Sequence, residues 1–146
     1  MKVLVIDGQG GGLGRQLVEA VKGRLPQAEI MAVGTNALAP QAMIKAGAHH
    51  AATGENAVIV ACRTADVIVG PIGIVIADSL WGEVTPAMAL TIAQSEAERV
   101  LLPTNLCGNY VAGVAPGGTG ELIEDCVRRI AARMGEPVDS QKGSMI

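Results

Sequence analysis

Short apolar runs alternate with amphipathic segments along most of the chain. Lys2 to Asp7 reads Lys-Val-Leu-Val-Ile-Asp. A β-branched apolar run ending at glycines predicts a buried parallel strand. Arg15 to Arg24 carries Leu17, Val18 and Val21 at helical spacing, and Pro26 stops that helix. Glu29 to Val33 predicts a second strand. Thr35 or Asn36 can cap a helix over Ala37 to Ala46, which Gly47 ends. His49 to Ala52 reads as a short third strand, and Thr53 can cap a helix over Asn56 to Arg63. Asp66 to Val69 predicts a fourth strand. The segment after it, Gly70 to Gly82, is too apolar for a surface loop. Thr85-Pro86 is the clearest helix start: a capping residue, then proline at the first helical position. That helix should run to about Glu96, with Met88, Leu90 and Ile92 making apolar contacts. Arg99 to Leu102 and Tyr110 to Val114 predict two more strands. Pro103 to Asn109 is too short for a helical crossover, so this last strand should be antiparallel. Glu121 to Met134 predicts a final helix, capped by Thr119 and closed by Gly135.

Strands alternating with helices define an α/β fold. The expectation is a single Rossmann-like nucleotide-binding domain over residues 1–135 and a flexible C-terminal tail over 136–146. Its mostly parallel sheet would hold five to six strands in the order 3-2-1-4-5, the last of them antiparallel. The chain's 146 residues suit one domain. Composition then narrows the function. Hydrophobic residues make up 49% and charged residues 17%, the latter well under the usual share of about 25%. Trp81 and Tyr110 are the only aromatics, so the core is aliphatic. With a net charge of -3, no basic patch and no stacking aromatics, nucleic acid is not an expected partner. Three separated cysteines without a C-x-x-C pair point to a reducing, cytoplasmic compartment. The N-terminus enters a strand directly, so no signal peptide is expected. The longest apolar stretch, Val67 to Ala77, is broken by Gly70, Pro71 and Gly73. It is also shorter than the roughly 20 residues a bilayer span takes, so no membrane partner is expected. The large apolar side chains from Ile72 to Trp81 instead predict a homodimer or higher homo-oligomer.

The strongest functional signal is Asp7-Gly8-Gln9-Gly10-Gly11-Gly12-Leu13-Gly14-Arg15. It lies between a predicted strand and a predicted helix. A phosphate binds free backbone N–H groups at a helix N-terminus, where the dipole favours an anion. Side chains block that approach, so the chemistry needs glycine. Five glycines in seven residues exceed what a tight turn needs, which favours phosphate binding over a purely structural turn. The spacing is G-x-x-x-G-x-G, at Gly8, Gly12 and Gly14. It is similar to the cofactor turn of short-chain dehydrogenases. That family has threonine at the place of Asp7 and often a basic residue after the last glycine, as Arg15 is here. Tyr110 has no lysine four residues on, so the family's Tyr-x-x-x-Lys pair is missing and no alcohol dehydrogenase activity is expected.

The second predicted strand ends Gly34-Thr35-Asn36. It carries neither the carboxylate that holds NAD ribose hydroxyls nor an arginine for a 2′-phosphate. Thr35 and Asn36 can bond a ribose or cap the next helix, and the cap is favoured. Gly70-Pro71-Ile72-Gly73 follows the fourth strand and should face the glycine turn across the crevice at the strand carboxyl ends. Beyond it, Asp78, Ser79 and Glu83 can bond a ligand, act as acid and base, or cap a short helix. His49 and His50 are adjacent, so a strand points them to opposite faces and no metal site is expected. Cys62 reads as core, whereas Cys107 lies in a loop.

The chain also resembles a small bacterial family, the domain of unknown function 3842. The resemblance rests on Val-Ile-Asp-Gly-Gln-Gly-Gly-Gly at Val5 to Gly12, on Gly54-Glu55-Asn56-Ala57, and on Ala65 to Glu83 followed by Thr85-Pro86-Ala87-Met88. It implies a Rossmann-like fold and no activity. The leading expectation is a small nucleotide- or dinucleotide-binding protein in a sensor or accessory role, with NAD or NADP as candidate cofactors. An enzyme acting on a small phosphorylated substrate is the first alternative. An assembly module with a structural glycine turn is the second.

Overall fold

Five apolar runs form one parallel sheet, in a computed structural model that describes residues 1–104, 106–115 and 117–136. The strands are β1 (Lys2–Asp7), β2 (Glu29–Gly34), β3 (His50–Thr53), β4 (Val67–Pro71) and β5 (Glu98–Leu102). Their order is β3-β2-β1-β4-β5, and every neighbouring pair is parallel. The helices are α1 (Gly12–Arg24), α2 (Leu38–Ala46), α3 (Glu55–Cys62), α4 (Pro86–Gln94) and α5 (Thr119–Arg133). A 3₁₀ turn covers Ile72–Val75.

The alternation of side chains along β1 sorts the core into two layers. Val3 and Val5 join Leu17, Val18 and Val21 of α1 and Ile123, Val127 and Ile130 of α5. Leu4 and Ile6 face the other way, toward Val58 of α3 and Met88 and Ile92 of α4. A strand covered on both faces must be apolar at every position, and Val3 to Ile6 are each at most 1% exposed. The sequence order reverses between β1 and β4, so the ligand crevice of such a sheet opens at their carboxyl ends.

The predicted sixth strand does not form. Residues 106–115 are turn and irregular backbone, with left-handed φ at Cys107 (50°), Gly108 (84°) and Gly113 (79°). A strand needs φ near −120°. Asn109 instead closes a local turn, its amide and its Nδ2 both donating to the Leu106 carbonyl. The last strand is therefore β5, and it is parallel because α4 supplies the crossover from β4. The proposed tail, residues 137–146, lies outside the described residues.

Of three predicted caps, one forms and two do not. Thr85 caps α4 as predicted, its Oγ1 accepting from the Met88 amide at 3.1 Å. Thr53 does not cap α3, which Gly54 precedes, and Thr119 lies inside α5 with Gly118 before it. Leu90 turns outward and is 57% exposed. The apolar segment after β4 packs mostly within its own subunit, with Ile74, Leu80 and Val84 buried in the second core layer. Of its large apolar side chains Trp81 alone is exposed, at 97%. No helix among the described residues is long and apolar enough to cross a membrane.

Gly70 marks the tightest contact between the two central strands. A Cβ there would lie 2.3 Å from the Ile6 carbonyl oxygen. Backbone cannot yield as a side-chain tip does, so Gly70→Ala should destabilise the fold by at least about 1–3 kcal/mol. Gly23→Ala, where a Cβ meets open space on α1, should be neutral or stabilising. Urea unfolding of the two variants checks this, and equal midpoints would contradict the packing.

Candidate functional site

The carboxyl edge of the sheet gathers the glycine turn, the end of β2 and the loop after β4. The turn is fixed first by Asp7. Its carboxylate is buried and accepts from the Gly8 amide at 2.8 Å and the Gly14 amide at 2.7 Å. The Gly14 amide is one of the four N–H groups that the start of α1 leaves without a helical partner. Asp7 thus caps α1 from the end of β1. Burial pushes its carboxyl above the ordinary 3.8, the Gly14 and Gly8 amides pull it back, and the Glu83 charge pushes it up again. The net shift is upward.

The glycines divide by what surrounds them. A Cβ at Gly8 would lie 2.5 Å from Thr35 Oγ1, and one at Gly14 would lie 2.6 Å from Met43 Sδ. Gly11 has φ 73°, and its Cβ would lie 2.7 Å from the Ala39 backbone. Packing accounts for these three. Gly10 and Gly12 are exposed, and a Cβ at either would meet nothing within 4 Å. Their amides and that of Leu13 have no acceptor among the described residues. The Gly11 amide is spent on the Gly8 carbonyl and that of Arg15 on the Gly11 carbonyl.

Glu83 ties the turn to β2. Its Oε1 accepts from the Gln9 amide at 3.1 Å, from Thr35 Oγ1 at 3.0 Å and from Asn36 Nδ2. Gln9 itself has φ 51°, which turns its amide toward Glu83 while its carbonyl accepts from Asn36 Nδ2 at 2.8 Å. Asn36 Oδ1 accepts from the Leu38 and Ala39 amides, so Asn36 does cap α2 as favoured. Thr35 does not; its hydroxyl serves Glu83. Partial burial pushes the Glu83 carboxyl up, but the bonds from Asn36, Gln9 and Thr35 outweigh it, and the net shift is below the ordinary 4.5.

The other candidates fall apart spatially or chemically. Ser79 is buried, and its hydroxyl donates to the Gly73 carbonyl, so it is committed to the loop. Asp78 is exposed with φ 66°, and its backbone amide is bonded to the Val84 carbonyl. Gly70 and Pro71 belong to β4, and Ile72 and Gly73 open the 3₁₀ turn beside the crevice. Arg15 pairs with Glu19 on its own helix at 3.0 Å rather than turning to the glycines. His49 Nδ1 accepts from the Ile30 amide at 3.0 Å, and His50 lies 3.8 Å from Glu29. Among the described residues no three His, Cys, Asp or Glu side chains gather into a metal site. Burial pushes the Cys62 thiol up to about 11, and Cys107 is exposed. Asp7 is the site residue that sequence reasoning passed over. A carboxylate ending a buried strand must find donors, and the nearest free ones are the amides of the next helix.

These features define a Rossmann-like α/β domain with a glycine turn at the switch between its central strands. The chain belongs to the family of the domain of unknown function DUF3842, whose pattern matches residues 2–135. No curated protein matches it. Among solved structures it is similar to a dodecameric FMN-dependent Ubix-like decarboxylase from Escherichia coli O157:H7, at 15% identity and a TM-score of 0.43. That alignment covers 99% of this chain and 100% of the other. A likeness at this level says nothing about ligands.

The lowered Glu83 carboxyl has a consequence for stability. The folded form holds its proton less tightly than the unfolded chain, so its contribution is fully present above pH 4.5 and is lost as pH falls through the lower folded value. The difference in melting temperature between wild type and Glu83→Gln should therefore be constant at neutral pH and shrink below 4.5. A difference that grows on acidification would show the sign to be wrong.

Proposed function

We propose that this protein binds a nucleotide or dinucleotide through a phosphate held on the amides of Gly10, Gly12 and Leu13. The observation that carries the reading is the division among the glycines. A purely structural turn explains Gly8, Gly11 and Gly14, which packing requires. It does not explain Gly10 and Gly12, which have room for side chains and lack them. Leaving them bare keeps three N–H donors open at the start of α1, where the helix dipole favours an anion. Charge-assisted bonds to such donors are each worth about 1.5–3 kcal/mol. Asp7 limits the cradle, since it takes the amides of Gly8 and Gly14 and holds a carboxyl beneath the turn. The phosphate therefore belongs on the outer three amides.

NAD and NADP remain the cofactor candidates, in a sensor or accessory role. The alternative of an enzyme using Asp78, Ser79 or Glu83 on a small phosphorylated substrate has less support, because the Ser79 hydroxyl is already bonded to Gly73 and Glu83 Oε1 to Gln9, Thr35 and Asn36.

Gly12→Val tests the reading. The new side chain enters open space at the first position of α1, so the fold should survive while the branched group covers the donors. With NAD, NADP, ATP, FMN and sugar phosphates as probes, wild type should melt higher with at least one of them. Gly12→Val should lose that shift, with affinity down at least about tenfold, as expected when one or more such bonds are lost. Unchanged affinity in the variant, or no shift with any probe, would overturn the proposal.

A further inference from the structure

We infer that Glu83 reads the sugar of the bound nucleotide, accepting ribose hydroxyls and refusing a ribose phosphorylated at its 2′ position. The inference rests on the nucleotide reading above and adds which nucleotide is taken. In dinucleotide sites of this architecture, a carboxylate at the end of the second strand accepts the ribose hydroxyls. Here β2 ends in Gly34, followed by Thr35 and Asn36, with no carboxylate of its own. The group arrives from the loop before α4 instead. Glu83 bonds both Thr35 and Asn36, and the Gln9 amide as well. It therefore stands at the end of β2 and against the glycine turn at once.

The carboxylate is prepared for hydroxyl donors. All three of its bonds go to Oε1, and Oε2 has no partner among the described residues. A carboxylate offers about four acceptor sites over its two oxygens. Oε1 is thus saturated and Oε2 keeps its full capacity. The three existing bonds hold the side chain in one orientation, so little conformational freedom remains to be lost when a ligand binds. Glu83 is only partly buried, which leaves Oε2 reachable.

The same surroundings are hostile to an added phosphate. The partners of Glu83 are an amide, a hydroxyl and a carboxamide, all neutral. No lysine or arginine pairs with it among the described residues. Arg15, the basic residue next to the turn, is engaged with Glu19. A 2′-phosphate would therefore meet a carboxylate with no cation between them, and like charges in contact cost several kcal/mol.

Calorimetric titration of the full chain with NAD, NADP and pyrophosphate tests the inference. Wild type should bind NAD at least about tenfold more tightly than NADP. Glu83→Gln removes the charge but keeps an acceptor, and the NAD-to-NADP ratio should fall to about threefold or less. Pyrophosphate carries no sugar and reports on the cradle alone, so wild type should bind it and Gly12→Val should not. Equal binding of NAD and NADP by wild type would overturn the role of Glu83 and leave the phosphate cradle standing. A ratio that persists in a folded Glu83→Gln would do the same. Failure of both NAD and NADP to bind wild type would overturn the role of Glu83 and leave the cradle to the wider set of probes. If Glu83→Gln does not fold, the wild-type ratio by itself decides.

Discussion

The bond from the Gly14 amide to the Asp7 carboxylate is the contact on which the site depends. It joins the last residue of β1 to the first turn of α1. A buried carboxylate is costly unless donors surround it. Two backbone amides answer that cost here, and the dipole of α1 adds to them. The residual penalty shows as a carboxyl held above its ordinary value. Gly14 is drawn down onto Asp7, and the earlier amides of Gly10, Gly12 and Leu13 have no acceptor among the described residues. The protein thus supplies one anion to its own helix terminus.

Most of the sheet was legible as pattern. Val3 to Ile6 are apolar on both faces because β1 is the central strand, and the run ends where Asp7 and the glycines begin. The Thr85-Pro86 signal works because both of its parts are local: a side-chain acceptor and a residue that needs no amide partner. The sixth strand failed because Tyr110 to Val114 has strand composition but sits among residues with left-handed backbone, Gly108 and Gly113. Local turn chemistry overrode apolar content there. The outward turn of Leu90 was beyond reach for another reason. Leu90 and Met88 are both apolar residues of one helix, and only the position of the sheet decides which is covered.

The candidate site was half legible. Glycine density pointed to the turn, but it could not separate glycines that packing demands from those that it does not. That separation needs Thr35, Met43 and Ala39, which come from just after β2 and from α2 and stand against Gly8, Gly14 and Gly11. Glu83 was visible as a polar residue in an apolar stretch, yet its destination was not. Its contacts with Thr35 and Asn36 span 48 and 47 residues of sequence.

What carries Glu83 there is a loop with an unusual backbone. Asp78, Leu80 and Trp81 have φ of 66°, 54° and 57°, followed by Gly82 at 85°. Left-handed backbone costs bulky residues roughly 1–2 kcal/mol each, so Leu80 and Trp81 together cost about 2–4 kcal/mol. Burying Leu80 returns about 1.5–3 kcal/mol. Five backbone bonds, from the amides of Asp78, Ser79, Gly82, Glu83 and Val84, hold the loop in this shape. The bonds from Gln9, Thr35 and Asn36 to Glu83 then tip the loop onto the glycine turn. The same backbone that turns Glu83 inward turns Trp81 fully into solvent. Because the loop and the turn share Glu83, a ligand that engages its free oxygen acts on both.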